Sequence, residues 1–443
     1  MNIQLSEHFS YSKLLRFVFP SIVMMVFTSI YGVIDGLFVS NYVGKVPFAA
    51  VNLIMPFLMM LGSLGFMIGT GGSAFVAKTL GEGREEEARR HFSMLVYVSI
   101  AGGVVLSIIG MIVIRPLTIA MGAEGEIIEN CVVYGRILLI ALTPFILQNV
   151  FQSFFVTAEK PQLGLAVTVA AGLTNIFLDF LFVAVFKWGL EGAAIATAVS
   201  QSVGGVFPLI YFIRKNKTPL QLVKAEFNGS VLFKTCTNGS SELASNISMS
   251  LVNMLYNYQL MKVAGEDGVA AYGVIMYVNF IFIAIFLGYS IGSAPIISYH
   301  YGAGNHDELK NLLKKSLFLM VGFSIILTFT AEGSAGFLSR IFVGYDKELY
   351  EMTCLGFRLF SLSFLFSGLN IFGSAFFTAL NNGVVSALIS FLRAFVLQII
   401  MVLLLPVFWG IQGIWFSVVA AELLALFITL YFLVTKRKEY HYA

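Results

Sequence analysis

Charge is what this 443-residue chain has least of: only 12% of its residues are Asp, Glu, Lys or Arg, about half the ~25% of an average soluble protein. A soluble chain of this length would form two or three domains, each needing a polar surface that this composition cannot supply. Cysteine is nearly absent too. Cys131, Cys236 and Cys354 are far apart and odd in number, so neither a disulfide framework nor a CxxC pair exists. The histidines, His8, His91, His300, His306 and His441, show none of the HxxxH or HxH spacing of a zinc site. No GxxxxGKS/T phosphate loop occurs, and a net charge of +3 is too small to argue for nucleic acid. These absences exclude a soluble enzyme, a disordered chain, a metal or redox catalyst and a pump that hydrolyses ATP itself.

What is present is apolar: 58% of the residues are hydrophobic and 14% aromatic, with a mean hydropathy of +0.87. A bilayer core about 30 Å thick takes roughly 20 apolar helical residues. That ruler predicts twelve spans, at 13–40, 48–77, 91–115, 130–158, 161–187, 192–214, 232–262, 269–300, 311–331, 350–380, 383–409 and 413–435. The fold class is therefore an all-α integral membrane protein. The polar stretch Asn2 to Ser12, then Arg16, Pro20 and Asp35 in the first apolar run without an A-x-A site, argue against a cleaved signal, so the first span is expected to be retained. Eighteen basic residues fall on one side of the spans and six on the other, while Arg136, Arg358 and Arg393 fall inside them. By the positive-inside rule, both termini and the long loop at 215–231 are expected in the cytoplasm, in a multi-pass protein of the inner (plasma) membrane.

Laid over the first half at offset 221, the second half aligns Gly44 with Gly265, Gly81-Glu82-Gly83 with Gly302-Ala303-Gly304, and Gly135 with Gly356. The same register aligns Thr157-Ala158 with Thr378-Ala379 and Gly189-x-x-Gly192 with Gly410-x-x-Gly413. One offset held without a gap reads as an internal repeat. It predicts a first lobe at 1–214 with spans one to six, a cytoplasmic linker at 215–231, and a second lobe at 232–443 with spans seven to twelve. Six is even, so the lobes insert the same way round, an arrangement used by transporters that bind substrate between two bundles.

The chain resembles the multidrug and toxic compound extrusion (MATE) transporters, from about Lys13 to Val434. The residues that carry the resemblance are Pro20 and Asp35 with Val43-Gly44-Lys45, Leu80-Gly81-Glu82-Gly83, and Pro295-Ile296-Ile297-Ser298-Tyr299-His300-Tyr301-Gly302-Ala303-Gly304. The last stretch is similar to one bacterial drug-efflux branch, in which the sixth position is usually Asn rather than His300. The resemblance implies twelve helices in two six-helix lobes, and export of organic cations driven by Na⁺ or H⁺ entry.

Ionisable groups inside a bilayer are costly and are functional hypotheses by default. Counting 1.5 Å per residue from the expected outer ends puts Asp35 roughly 9 Å deep, Asp179 roughly 12 Å and Thr197 roughly 10 Å. Asn175, four residues before Asp179, shares its helix face. Three spans thus bring oxygen ligands to one depth. Their counterparts at offset 221 are Tyr256, Val396, Ile400 and Val418, so the scaffold is doubled but the carboxylates are not. The resemblance implies that Asp35, Asn175, Asp179 and Thr197 form the first-lobe cation site. Hard oxygens suit Na⁺ and a neighbouring pair of acids suits H⁺; both readings stand. No other cofactor is expected.

Other acids carry less. Glu191 reads as a solvated helix end. Glu242, near the expected start of the seventh span, reads equally as a helix cap in Ser240-Ser241-Glu242 or as a group that greets a cationic substrate. Another branch of the family pairs an acid on the seventh helix with one on the eighth, but 269–300 holds none. Glu422 stays open. The substrate path is expected between the lobes, along Gln148, Asn149 and Gln152 on one side and Glu242, Asn246, Asn253, Tyr256 and Asn257 on the other. The 43 Phe, 18 Tyr and 17 Met offer aromatic and thioether surface for a flat cation.

The leading expectation is a monomeric secondary antiporter for cationic, drug-like compounds, working by alternating access of the two lobes. The alternative is a lipid or lipid-linked sugar flippase of the same superfamily, which would favour a basic cavity. A membrane-embedded enzyme would need His beside a carboxylate at depth, but His91, His300 and His306 fall at span ends. No pore-loop signature of a channel is present.

Overall fold

The computed structural model describes residues 3–442, apart from the side chains of Leu37 and Lys45. In lipid every backbone N–H and C=O must find a partner within the protein, which favours helices for a chain this apolar. The elements are α1 (Tyr11–Phe38), α2 (Lys45–Gly81), α3 (Glu85–Ala120), α4 (Glu126–Ile140), α5 (Leu142–Thr157), α6 (Pro161–Asp179) and α7 (Gly189–Ile213) in the first half. The second half holds α8 (Gly229–Gly302), α9 (His306–Val343), α10 (Lys347–Ser361), α11 (Phe364–Ala379), α12 (Gly383–Phe391), α13 (Leu397–Thr435) and the short α14 (Arg437–Tyr440). Ser10, Asn228, Asn305, Asp346 and Asn382 cap α1, α8, α9, α10 and α12 by accepting first-turn amides, which satisfies donors that the helix leaves free.

Among the described residues, eight helical stretches are long and apolar enough to cross a membrane, or ten when α4–α5 and α10–α11, bent by 55° and 46°, each count as one. Two of these stretches contain a reversal. In α8 it falls at Gly265 (φ 65°), and in α13 at Gly410 (φ 55°), a backbone conformation that a Cβ disfavours. Tyr256 and Tyr272 stack with centroids 5.2 Å apart across Gly265. Ser417 Oγ donates to the Met401 carbonyl at 3.0 Å across Gly410. Their counterparts in the first half, Gly44 (φ 123°) and Gly189 (φ 61°), likewise turn the chain ahead of α2 and α7.

Buried apolar side chains form two clusters, one drawn from Val39 to Val231 and the other mainly from Val252 to Tyr442. The exceptions decide how the halves meet. Leu5, Phe9, Leu14, Phe17 and Val18 lie in the second cluster, so the chain start is packed into the opposite half. The Leu5 amide donates to Glu159 Oε1 at 2.8 Å, while the Phe9 amide donates to Glu308 Oε1 at 2.9 Å. Residues 5–9 therefore strap the α5–α6 turn to the start of α9. Residues 214–228 carry no helix and lie along α3, where the Val223 amide donates to Ser93 Oγ at 2.9 Å; the last three residues of the linker expected at 215–231 already belong to α8.

At the face that carries both termini the halves touch backbone to backbone. A Cβ on Gly81 would overlap the Tyr299 carbonyl, and one on Gly302 would overlap that of Lys78. The two glycines are repeat counterparts of each other, as are the residues that supply the two carbonyls, so the contact is reciprocal. Higher up, Asn238 Nδ2 donates to the Gly71 carbonyl at 3.4 Å, and Ser29 Oγ to that of Phe280 at 3.4 Å. Among the described residues, the hydrogen bonds and glycine approaches found between the halves all lie between the terminal face and Ser29.

Gly81→Val and Gly302→Val should force the halves apart at this face. The readout is a cysteine placed at Ser21, 1% exposed between α1 and α8, in a chain whose native cysteines are serine. Its reaction with a maleimide supplied on the terminal side should accelerate about tenfold, the effect of a ~1.4 kcal/mol bias toward opening. Unchanged reactivity would show that closure does not depend on this approach.

Candidate functional site

Among the described residues, three π-helical turns interrupt the helices, at Val39–Val43, Phe180–Val185 and Leu392–Val396. Such turns re-aim side chains and concentrate at functional positions. Each of these adjoins an ionisable residue in an apolar helix. Asp35 lies one turn before the first, Asp179 immediately before the second, and Arg393 within the third.

The first two turns and α7 build one cluster. Thr197 Oγ1 sits 3.3 Å from Asp35 Oδ1 and 3.1 Å from the Ala193 carbonyl, so its single proton is shared. Asn175 Nδ2 approaches Thr197 Oγ1 at 3.5 Å. Asp179 is 0% exposed; its carboxyl group lies within hydrogen-bonding reach of that of Asp35, and among the described residues no amide, hydroxyl or cationic group donates to either of its oxygens. The four residues expected from depth and spacing do meet. The structure adds Tyr134, a buried hydroxyl beside Thr197 and both carboxylates. Sequence reading missed it; the available signal was a tyrosine in an apolar helix whose counterpart at offset 221 is Leu355.

Donors are scarce here. Two carboxylates offer about eight lone-pair sites, against one amide group and two hydroxyls. A buried carboxylate without a donor is costly, so this arrangement fits a partner of positive charge. Carboxylate, amide, hydroxyl and phenol oxygens are a donor set suited to a small hard cation, and two facing acids can equally share a proton.

The second polar region is a cavity of about 270 Å³ walled wholly by the second half. Glu242 is corrected here. Asn228 caps α8, and Glu242 lies well inside that helix, which begins at Gly229, roughly 20 Å along the axis from the start. It is no helix cap; it lines the cavity. Glu422, 4% exposed, accepts from Arg393 Nε at 2.8 Å and from Asn370 Nδ2 at 2.7 Å. Thr429 Oγ1 in turn donates to Asn370 Oδ1 at 3.0 Å. The Tyr256 hydroxyl donates to Gln398 Oε1 at 2.9 Å, and that of Tyr272 to Asn253 Oδ1 at 2.7 Å, which holds the stacked rings on the cavity wall.

The residues expected along a path between the lobes separate. Glu242, Asn246, Asn253 and Tyr256 line this cavity, inside the second half. Gln148, Asn149 and Gln152 are buried at 5%, 5% and 7% within the first, and Asn257 is exposed on the outside of α8. Glu191 is exposed in the first turn of α7, as a solvated helix end should be.

The MatE family model matches the chain twice, over residues 20–181 and 243–404. The chain is 21% identical over 413 residues to the multidrug export protein MepA of Staphylococcus aureus strain MSSA476, covering 93% of this chain and 91% of that protein. Its fold is similar to a crystal structure of MATE in complex with MaL6, with a TM-score of 0.94 at 21% identity, covering 99% of this chain and 98% of that one. A multidrug resistance MATE family transporter of the MOP superfamily, in its outward-facing conformation, superposes with a TM-score of 0.93 at 22% identity, covering 99% and 98%.

Replacing Glu422 by Gln breaks the hydrogen-bonded Arg393–Glu422 pair, and breaking a buried pair costs about 3 kcal/mol. The Tm of purified Glu422→Gln should therefore fall by several degrees, and Arg393→Gln/Glu422→Gln should recover most of the loss. Equal Tm values for all forms would remove this pair from the account of stability.

Proposed function

The chain belongs to the MATE family of multidrug efflux transporters, and on that premise we propose that it is a secondary antiporter exporting cationic, drug-like organic compounds in exchange for Na⁺ or H⁺. It is a transport protein rather than an enzyme, and it resides in the plasma membrane as a multi-pass protein. Twelve passes follow if the ten spanning stretches are divided at the Gly265 and Gly410 reversals. Two six-helix lobes related by the repeat are supported by the double family match and by the paired positive-φ glycines.

The observation that carries the coupling assignment is the Asp179 carboxyl group, fully buried in contact with that of Asp35 and given no amide, hydroxyl or cationic donor among the described residues. A Na⁺ ion or proton supplies the missing charge. A ligand shifts a conformational equilibrium only through differential affinity, and this cluster provides it: loaded, it is stable when closed; empty, it favours exposure to water. The cluster lies outward of Ser29, beyond the level where the halves touch. With both termini cytoplasmic, this conformation opens outward, so the ion loads from outside as cargo leaves. The flippase reading draws no support from the cavity. Arg136 and Arg358 are exposed on helix surfaces, and Arg393, the base on the cavity wall, is neutralised by Glu422.

Asp35→Asn and Asp179→Asn should abolish gradient-driven efflux from inverted vesicles, with Na⁺ and pH gradients imposed separately, while the Tm of Asp179→Asn stays at or above wild type. Neutralising an unsatisfied buried acid removes a desolvation cost. Transport at wild-type rates with unchanged ion dependence would refute the coupling site. The gradient that drives wild-type efflux names the ion.

Topology is tested independently. Single cysteines in 78–84 and 215–227, which carry basic residues near helix ends, should resist an impermeant thiol reagent added outside intact cells. Labelling there would reverse the orientation.

A further inference from the structure

The cavity of the second half carries three ionisable side chains on its wall, Glu242, Arg393 and Glu422. They are not equivalent. Both oxygens of Glu422 are engaged, one by Arg393 at 2.8 Å and the other by Asn370 at 2.7 Å. Glu242, on the facing α8, makes no hydrogen bond or salt bridge with its carboxylate among the described residues and interacts with Arg393 only at longer range. Two carboxylates against one guanidinium leave a single uncompensated negative charge. The counterparts of the three at offset 221 are Ser21, Gly172 and Gln201, so the doubled scaffold does not itself require this charge set. Arg393 is aimed by the third π-helical turn, and its side chain is 18% exposed, which leaves it on the wall rather than in the packing behind it. The rest of the wall mixes serine, asparagine and aliphatic side chains with four aromatic ones: Tyr256 and Tyr272 stack at an interplanar angle of 1° with both hydroxyls engaged, and Phe280 and Phe360 complete the set.

We propose that the Arg393–Glu422 pair is a built-in counter-ion that sets the charge of the cargo: the cavity takes flat organic monocations against Glu242 and the tyrosine faces, and discriminates against dications. This rests on the cargo reading above and adds a charge rule to it. In a site with low-dielectric walls, a monocation neutralises the one free carboxylate and gains from the ring faces. A dication brings a second charge that finds Glu422 already occupied and Arg393 repelling it. Removing Arg393 frees Glu422 and makes room for two positive charges. Removing the Glu422 charge instead frees Arg393, which then neutralises Glu242.

The test uses the purified full-length protein and two dyes sharing one phenanthridinium ring, ethidium with one positive charge and propidium with two, read by fluorescence titration. Propidium is also bulkier, so the change in the affinity ratio across variants is the measurement, not the wild-type ratio alone. In Arg393→Gln, propidium should gain about tenfold relative to ethidium, and Arg393→Lys should keep the wild-type ratio. In Glu422→Gln, ethidium should weaken about tenfold. Arg393→Gln/Glu422→Gln restores the single negative charge and should return the wild-type preference, which also separates the charge rule from a folding defect in either single variant. A wild-type ratio in Arg393→Gln, or a double variant that fails to return to wild type, overturns the charge rule and leaves the cargo reading standing. Wild-type protein that binds neither dye overturns the cargo reading and the charge rule with it.

Discussion

Backbone-to-backbone contact of the two halves at the terminal face is the constraint from which the other features take their meaning. Gly81 against the Tyr299 carbonyl, and Gly302 against that of Lys78, bring helices as close as a missing Cβ permits. A side chain at either position would hold the halves apart by more than a hydrogen bond can span. The strap at residues 5–9, with its bonds to Glu159 and Glu308, covers the same face. Because closure is concentrated here, the outer parts of the halves can separate without breaking either apolar cluster.

Symmetry ends at the charges. Glycine reversals and the closing contact recur at one offset, but Asp35, Asp179, Arg393 and Glu422 have no charged counterparts there. The first half buries two facing acids without enough donors; the second buries an acid with an arginine, an amide and a threonine around it. One arrangement is short of positive charge. The other is nearly complete and leaves only Glu242 seeking a partner. The two halves thus differ in their buried charges while sharing their helix contacts.

Burying these groups is expensive, and the helices show where the geometry was adjusted to accommodate them. All three π-helical turns adjoin Asp35, Asp179 or Arg393. A π turn inserts a residue and weakens local hydrogen bonding, a cost recovered only if the re-aimed side chain does something that regular helix would not allow. At Asp179 the result is a carboxyl group given no amide, hydroxyl or cationic donor among the described residues; at Arg393 it is a guanidinium held on a cavity wall.

The sequence by itself determined the class and much of the architecture. A chain that is 12% charged can hide its backbone only in helices within lipid, and the constant offset of the repeat follows from loop glycines whose positive φ no other residue meets as cheaply. It also determined which first-half residues share a depth, because Asp35, Asn175, Asp179 and Thr197 are fixed by rise per residue and by i,i+4 spacing. Depth is not azimuth, and there the sequence was silent. Tyr134 joins the first cluster from α4, and Glu422 finds Arg393 across the Gly410 reversal, 29 residues away. Glu242 read equally as a helix cap or as a group that greets a cation because position along a helix does not say what its face meets, and the cargo residues looked interfacial because polarity alone does not say which neighbour a face meets. Only the tertiary structure decided these points, since the rotation of each helix about its axis is set by packing against helices distant in sequence.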